Sequence, residues 1–380
     1  MYYYLKDGNP EIDGMMASVC ETGGGGTCIS DLRWRFRGYP ETADRARDAL
    51  RTAKHQPRSR GTPTLKKMLY SVQYNWFRHL FDTHPDAVAV AWNGLTGTRR
   101  AFMAAAKDAG RPRVYLERAP LPGRVTVDPV GINQLNSLPR DPAFYRNWAA
   151  DAPSRSGMGW MQMKETLTAR QSKRADVGQS DDASALAGQN FIFCPLQVPD
   201  DTQIRQFAGW VGDLDGFIAA LVTAAAHLPP GWHLRLKEHP SSKIPLTETL
   251  SAAMAAHPGR IVIDNATDTF RQVEAAKAVI TLNSSVGLQA FFYERPVLVL
   301  GEAFFRMPGL VTPIDGPADL AAAFSGADDL TFDAGLRDVF MTYLDQVYYP
   351  KVVPGAGGTV AVAPDLVRPK LAQAHRTVAQ

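Results

Sequence analysis

Residues 191–204 read FIFCPLQVPDDTQI. The apolar run from Phe191 to Leu196 has the length of a buried strand, and a proline and two adjacent carboxylates, Asp200 and Asp201, follow it. The same pattern continues downstream. Strand NFIFCPL leads to a helix at 215–228 and a strand at 232–239, then to a helix at 246–257 and a strand at 260–264. A helix at 269–277, a strand at 278–282, a helix at 285–294 and a strand at 296–301 complete the set. Five strands alternating with helices predict a parallel, Rossmann-like α/β unit.

The chain of 380 residues is long for one core and suits two domains. Upstream, AVAVAWNG (87–94) reads as a strand, TRRAFMAAAKDAG (98–110) as a helix ending in glycine, and RVYLER (113–118) as the next strand. The expected division is an N-terminal Rossmann-like domain over 1–150, a Ser-, Ala- and Gly-rich connection over 151–188, and a second Rossmann-like domain over 189–335. A helix or tail over 336–380 is expected to cross back to the first domain. Two such halves facing across a cleft would make a GT-B-like α/β protein. TGGGG (22–26) is a turn that either approaches a ligand closely or links two strands.

Composition excludes several classes. No stretch approaches the roughly 20 unbroken apolar residues of a membrane-spanning helix, and the N-terminus lacks the pattern of a signal peptide. Cys20, Cys28 and Cys194 are too few and scattered for a disulfide framework or zinc site, so a reducing cytoplasm is expected. Residues 1–150 hold 22 Lys/Arg against 14 Asp/Glu, whereas the remainder holds 19 against 24. A basic first half suits an anionic partner or is simply a solvated surface. No motif supports nucleic acid as that partner.

In an open parallel sheet, ligands sit outside the carboxyl ends of the strands. Three polar clusters fall there: QVPDDTQ after the first strand, KEHP after the second and NSS after the fourth. Asn283, Ser284 and Ser285, with Gly287 in the first turn, stand where a strand hands over to a helix; they suit a phosphate, or a serine merely caps the helix. Lys237 and His239 occupy alternate positions and would point the same way. They bind a phosphate or carboxylate and offset leaving-group charge, or form a solvated strand end. Asp200 or Asp201 would attack or stabilise an anomeric carbon, or cap a turn. GDLDG (212–216) resembles a metal-binding pair, but it opens a helix, where Asp213 or Asp215 serves as N-cap.

Taken together, FCPLQVPDDTQI, KEHP and NSSVGLQAFFYERPVLVLGEAFFRMPGL resemble the capsule polysaccharide biosynthesis proteins of the KpsS/KpsC type. WNG (92–94), YLERAPLPGRVTVDPVGIN (115–133) and NSLPRDPAFY (136–145) are similar to the KpsS branch in particular. The resemblance spans roughly residues 87–310. It implies a GT-B-like, retaining β-Kdo transferase that uses CMP-Kdo as donor, needs no metal or other cofactor, and adds Kdo to a (lyso)phosphatidylglycerol-type lipid.

The resemblance also assigns residues. Asp201, four after Gln197 in the Q-x-x-x-D pattern, would be the nucleophile, and Glu117 the general base. Lys237 and His239 would hold the CMP phosphate and donor carboxylate, Asn283, Ser284, Ser285 and Gly287 the nucleotide phosphate, and Gln197 would also contact the nucleotide-sugar. RWRFR (33–37) and RSRGTPTLKK (58–67) would face an anionic bilayer at the cytoplasmic side of the inner membrane. Other capsule synthesis or export proteins are candidate partners. The rival readings are a transferase of another anionic sugar to a polysaccharide and a non-catalytic capsule assembly or export factor.

Overall fold

A computed structural model describes residues 1–31, 33–54 and 61–378. The chain forms two compact units: Met1–Leu138 with Leu344–Gln380, and Pro139–Tyr343.

The first unit contains β1 (Tyr2–Leu5), α1 (Pro10–Thr22), β2 (Gly26–Ile29), α2 (Thr42–Arg51) and α3 (Thr62–Thr83). It continues with β3 (Val88–Trp92), α4 (Gly97–Asp108), β4 (Arg113–Arg118) and β5 (Val125–Asp128). The sheet order is β2-β1-β3-β4-β5, parallel except for the last pair. β3 is buried at every residue, as a strand covered on both faces must be. The glycine-rich 22–26 stretch links α1 to β2, so it joins a helix to a strand rather than two strands.

The last 37 residues complete this unit. A hairpin of Val352–Pro354 and Val360–Val362 packs on α1, where Ser18 Oγ accepts the Val362 N–H at 2.9 Å. Val362, Val367 and Leu371 join the apolar core of β3, β4 and β5. Asp128 anchors the return: its fully buried carboxylate accepts the Val130, Gly131 and Ser137 N–H groups and the Ser137 and Tyr348 hydroxyls.

The second unit opens with α5 (Pro142–Ala150), then β6 (Asn190–Pro195), α6 (Thr202–Phe207), α7 (Leu214–Ala224), β7 (Trp232–Lys237) and α8 (Thr247–Ala256). β8 (Ile261–Ile263), α9 (Thr269–Ala275), β9 (Ala278–Thr281), α10 (Ser285–Gln289) and β10 (Val297–Val299) follow. β11 (Thr312–Pro313), α11 (Pro317–Ser325) and α12 (Ala334–Tyr343) close it. The sheet is six-stranded and wholly parallel, with order β11-β10-β9-β6-β7-β8. β6 through β8 build one way and β9 through β11 the other, so the topological switch lies between β6 and β9.

The division between units falls at 138/139 rather than at 150. Tyr145 and Trp148 of α5 make edge contacts with Phe340 and Tyr343 of α12, which holds 139–150 in the second unit. The connection also belongs there. Arg174 bridges Glu238 at 2.5 Å, and Lys173 N–H donates to the Pro240 carbonyl at 2.9 Å.

Candidate functional site

Three loops meet at the carboxyl ends of β7, β6 and β9, which are neighbours in the sheet. Gln197, just past β6, reaches the loop after β9. Its Nε2 donates to Asn283 Oδ1 at 2.9 Å, and its Oε1 accepts the Asn283 N–H at 3.3 Å. Asn283 Nδ2 in turn donates to the carbonyls of Gln203 (3.1 Å) and Phe207 (3.0 Å), which pins α6 over the switch point. The Asn283 amide is therefore committed to protein partners on both sides. The expectation that Asn283 and Gln197 contact the nucleotide through these groups is corrected: both fasten the loops around the crevice.

Asp201 is solvent-exposed and caps α6, accepting the Gln203 N–H at 2.9 Å. Because α6 is tied to Asn283, the same crevice holds this carboxylate and the start of α10. There Ser284 caps α10 by accepting the Val286 N–H at 3.2 Å, and its own N–H donates to Thr281 Oγ1 at 3.1 Å. Ser285, the first residue of α10, is exposed. Gly287 is buried with ordinary helical backbone, and a Cβ there would lie 3.0 Å from Thr281 Cγ2 and 3.3 Å from the Phe305 ring. Its missing side chain faces the core. Gly287 serves close packing of helix on strand, not a ligand.

Lys237 also departs from expectation. Its side chain is buried, with the residue 2% exposed, and Nζ donates to the carbonyls of Gly178 (2.8 Å), Asn265 (3.0 Å) and Thr267 (2.7 Å). Three bonds use all three ammonium hydrogens, so Lys237 has nothing left to offer a phosphate. It ties the connection and the loop after β8 to the end of β7. His239, two residues on, accepts the Ser241 N–H at Nδ1 at 3.1 Å, which leaves the proton on Nε2. Burial and the nearby Arg170 charge lower its pKa to about 4, so it is a neutral hydrogen-bond donor at neutral pH and carries no charge.

Arg170, an exposed residue, is near enough for its charge to act on His239. Arg170 lies in the polar connection, where no periodicity or motif marks it in the sequence.

Glu117 belongs to the other unit. At the end of β4 its Oε2 accepts Asn93 Nδ2 at 2.9 Å, and its Oε1 accepts the Arg118 N–H at 2.9 Å. Asn93 follows β3 with φ 65°, and Gly94 with φ 75° lies so close to Tyr115 that a Cβ would sit 2.6 Å from the ring. This turn holds Asn93 against the carboxylate. Asp213 caps α7, accepting the Gly216 N–H at 2.8 Å, in line with its reading as a helix cap. A cavity of about 650 Å³ in the second unit lies elsewhere, between residues 167–181 of the connection and α9, and none of the sequence-predicted site residues lines it. Among the described residues, no helix is long and apolar enough to cross a membrane.

A wholly parallel sheet with polar loops gathered at its switch point defines a ligand-binding α/β unit. Residues 161–349 match the family described as capsule polysaccharide biosynthesis protein. The chain is 30% identical over 281 residues to the protein FixF of Sinorhizobium fredii, covering 73% of this chain and 62% of that one. It is 26% identical over 234 residues to the capsule polysaccharide export protein KpsS of Escherichia coli, covering 50% and 60%. The match thus spans about three-fifths of the length of each relative. Among solved structures, a Thermosulfurimonas dismutans KpsC β-Kdo 2,7-transferase is similar at 13% identity and a TM-score of 0.49, covering 98% of both chains.

Proposed function

We propose that the chain is a glycosyltransferase of capsule polysaccharide synthesis, with CMP-Kdo as donor and a (lyso)phosphatidylglycerol-type lipid as acceptor. The observation that carries the reading is the switch-point crevice. Within the family segment, Asp201, His239 and Ser284 come from loops at the ends of three adjacent strands, where an α/β sheet binds its ligand. The relative named for capsule polysaccharide export supports the same process.

The chemistry follows from the groups present. The donor has a single phosphate. The Nε2–H of His239, the free N–H groups at the start of α10 and the Arg170 guanidinium together offset its charge as CMP departs. Arg170 takes the part that sequence reading gave to Lys237. Asp201, exposed at the tip of α6, attacks the anomeric carbon. The acceptor hydroxyl then displaces the carboxylate as its proton passes to a general base, and two inversions retain configuration. No metal is required for this charge balance.

Mass spectrometry of the products from CMP-Kdo and phosphatidylglycerol, or its lyso form, tests the reading. Release of CMP with an acceptor heavier by one Kdo residue is expected. A panel of other nucleotide sugars identifies a different donor, and the absence of transfer from every donor overturns the enzymatic reading in favour of a binding or export factor.

A further inference from the structure

The first unit carries large apolar side chains in solvent. Trp34 is 64% exposed, Phe36 72%, Leu65 71%, Met68 55% and Leu69 38%. Leu65, Met68 and Leu69 stand at i, i+3 and i+4 on α3, which makes a stripe along its first two turns. Farther along, the helix turns core-facing, with Tyr74, Phe77 and Phe81 fully buried. The segment bearing Trp34 and Phe36 is fixed beside the same helix. The Arg35 N–H donates to the Val72 carbonyl at 3.1 Å, and Asn75 Nδ2 donates to the Arg35 carbonyl at 3.1 Å. Val72 is the next position along the stripe, i+7 from Leu65, so segment and stripe adjoin.

The charge within these two segments has one sign. Residues 33–37 and 61–69 contain Arg33, Arg35, Arg37, Lys66 and Lys67 and no acid. Among the described residues, Arg33 and Arg37 are exposed and form no ion pair with a carboxylate. Residues 58–60 of the basic stretch noted in the sequence lie outside the described residues. Tryptophan and phenylalanine between arginines, beside an aliphatic helix stripe, match the boundary of a bilayer, where rings and aliphatic chains enter the acyl edge and guanidinium groups meet phosphate headgroups. Within these two segments the described basic side chains are not interrupted by a carboxylate, which favours phosphate headgroups over a protein surface of mixed charge.

We infer that Trp34, Phe36 and the Leu65–Met68–Leu69 stripe form an interfacial wedge that seats the first unit on an anionic lipid surface. This goes beyond the charge attraction expected from sequence, since insertion adds a component that salt does not screen. It deepens the proposed function, because a lipid acceptor is presented at such a surface, but it rests on residues of the first unit alone.

Co-sedimentation of the full chain with vesicles tests it. Vesicles of phosphatidylcholine alone are compared with vesicles containing phosphatidylglycerol, at about 0.1 M and about 0.5 M salt. Binding to the phosphatidylglycerol vesicles is expected, partly retained at high salt. Trp34→Ala/Phe36→Ala should weaken partition by about tenfold or more at both salt levels. Arg33→Gln/Arg37→Gln should narrow the difference between vesicle types. Leu65→Ser/Met68→Ser, on exposed helix surface, provides a second variant that leaves the core intact. Unchanged partition in both apolar variants overturns the inference, as does no binding by the wild type. Self-association abolished by Trp34→Ala/Phe36→Ala without vesicle binding also overturns it and assigns the patch to a second copy. Transfer to a detergent-dispersed acceptor is followed in parallel: intact transfer without vesicle binding counts against this surface alone, and vesicle binding without transfer counts against the proposed function alone.

Discussion

Gln197 and Asn283, 86 residues apart in the chain, are joined across the switch point by a 2.9 Å hydrogen bond from Nε2 to Oδ1. Asn283 passes the connection on to the Gln203 and Phe207 carbonyls, so one side chain couples β6, α6 and β9. Asn283→Ala strips donors from two carbonyls and a partner from Gln197. A loss of about 2–4 kcal/mol is expected in urea unfolding, because each buried group left without a partner costs about 1–3 kcal/mol. Stability within about 0.5 kcal/mol of wild type would show that water replaces these bonds freely.

Asp201 has two duties that substitution separates. Asparagine caps a helix as well as aspartate, so Asp201→Asn should leave the melting temperature nearly unchanged. Alanine should cost about 1 kcal/mol. If Asp201 is the nucleophile, both variants lose CMP release together despite their different stabilities. Full turnover in Asp201→Asn would remove it from the chemistry and leave it as a cap.

Gly287 tests packing against ligand binding. Gly287→Ala places a methyl 3.0 Å from Thr281 Cγ2, and overpacking of this kind costs about 1–3 kcal/mol. Thr281→Ser removes that methyl and keeps the hydroxyl that receives the Ser284 N–H. The double variant should therefore regain part of the lost stability in thermal unfolding. No rescue would mean that Gly287 matters for another reason.

His233 and His239 both have pKa values lowered from 6.5 to about 4, chiefly by burial, with Arg235 and Arg170 adding to the effect. Between those values the unfolded chain binds more protons than the folded one. Stability should therefore fall as pH drops from 6.5 towards 4 and stay flat with respect to these groups above that range. The full effect is on the order of 3 kcal/mol per histidine. Urea midpoints at pH 7 and pH 5 check it. His239→Asn should reduce the slope, and an unaltered slope in that variant would show that His239 takes no part.

The second sheet was largely legible from the chain because its strands are buried on both faces and read as plain apolar runs. Phe191 through Cys194 are wholly inaccessible to solvent, and the expected strand ends lie within two residues of the observed ones. Alternation misled at β7. A solvated strand end is one reading of Lys237 and His239 there, yet Lys237, like His233 and Arg235, is buried. Arg235 pairs with Asp264 at 2.9 Å and Gln189 at 2.7 Å, while Lys237 takes carbonyls of the connection and the loop after β8. A pattern local to one strand has no record of a segment that folds over it from sixty residues away. β2 escaped notice for the opposite reason: it is a mostly exposed edge strand with no apolar run.

Leu344–Gln380 completes the unit begun by Met1–Leu138, which sets an order for biosynthesis. The earlier-made portion leaves the ribosome without the Tyr348 hydroxyl for Asp128 and without Val362, Val367 and Leu371 for its core. The intervening stretch, Pro139–Tyr343, has every strand of its own sheet in hand before those residues are translated. A released chain that ends at Tyr343 should thus carry a protease-resistant later portion behind an earlier one that is still readily digested.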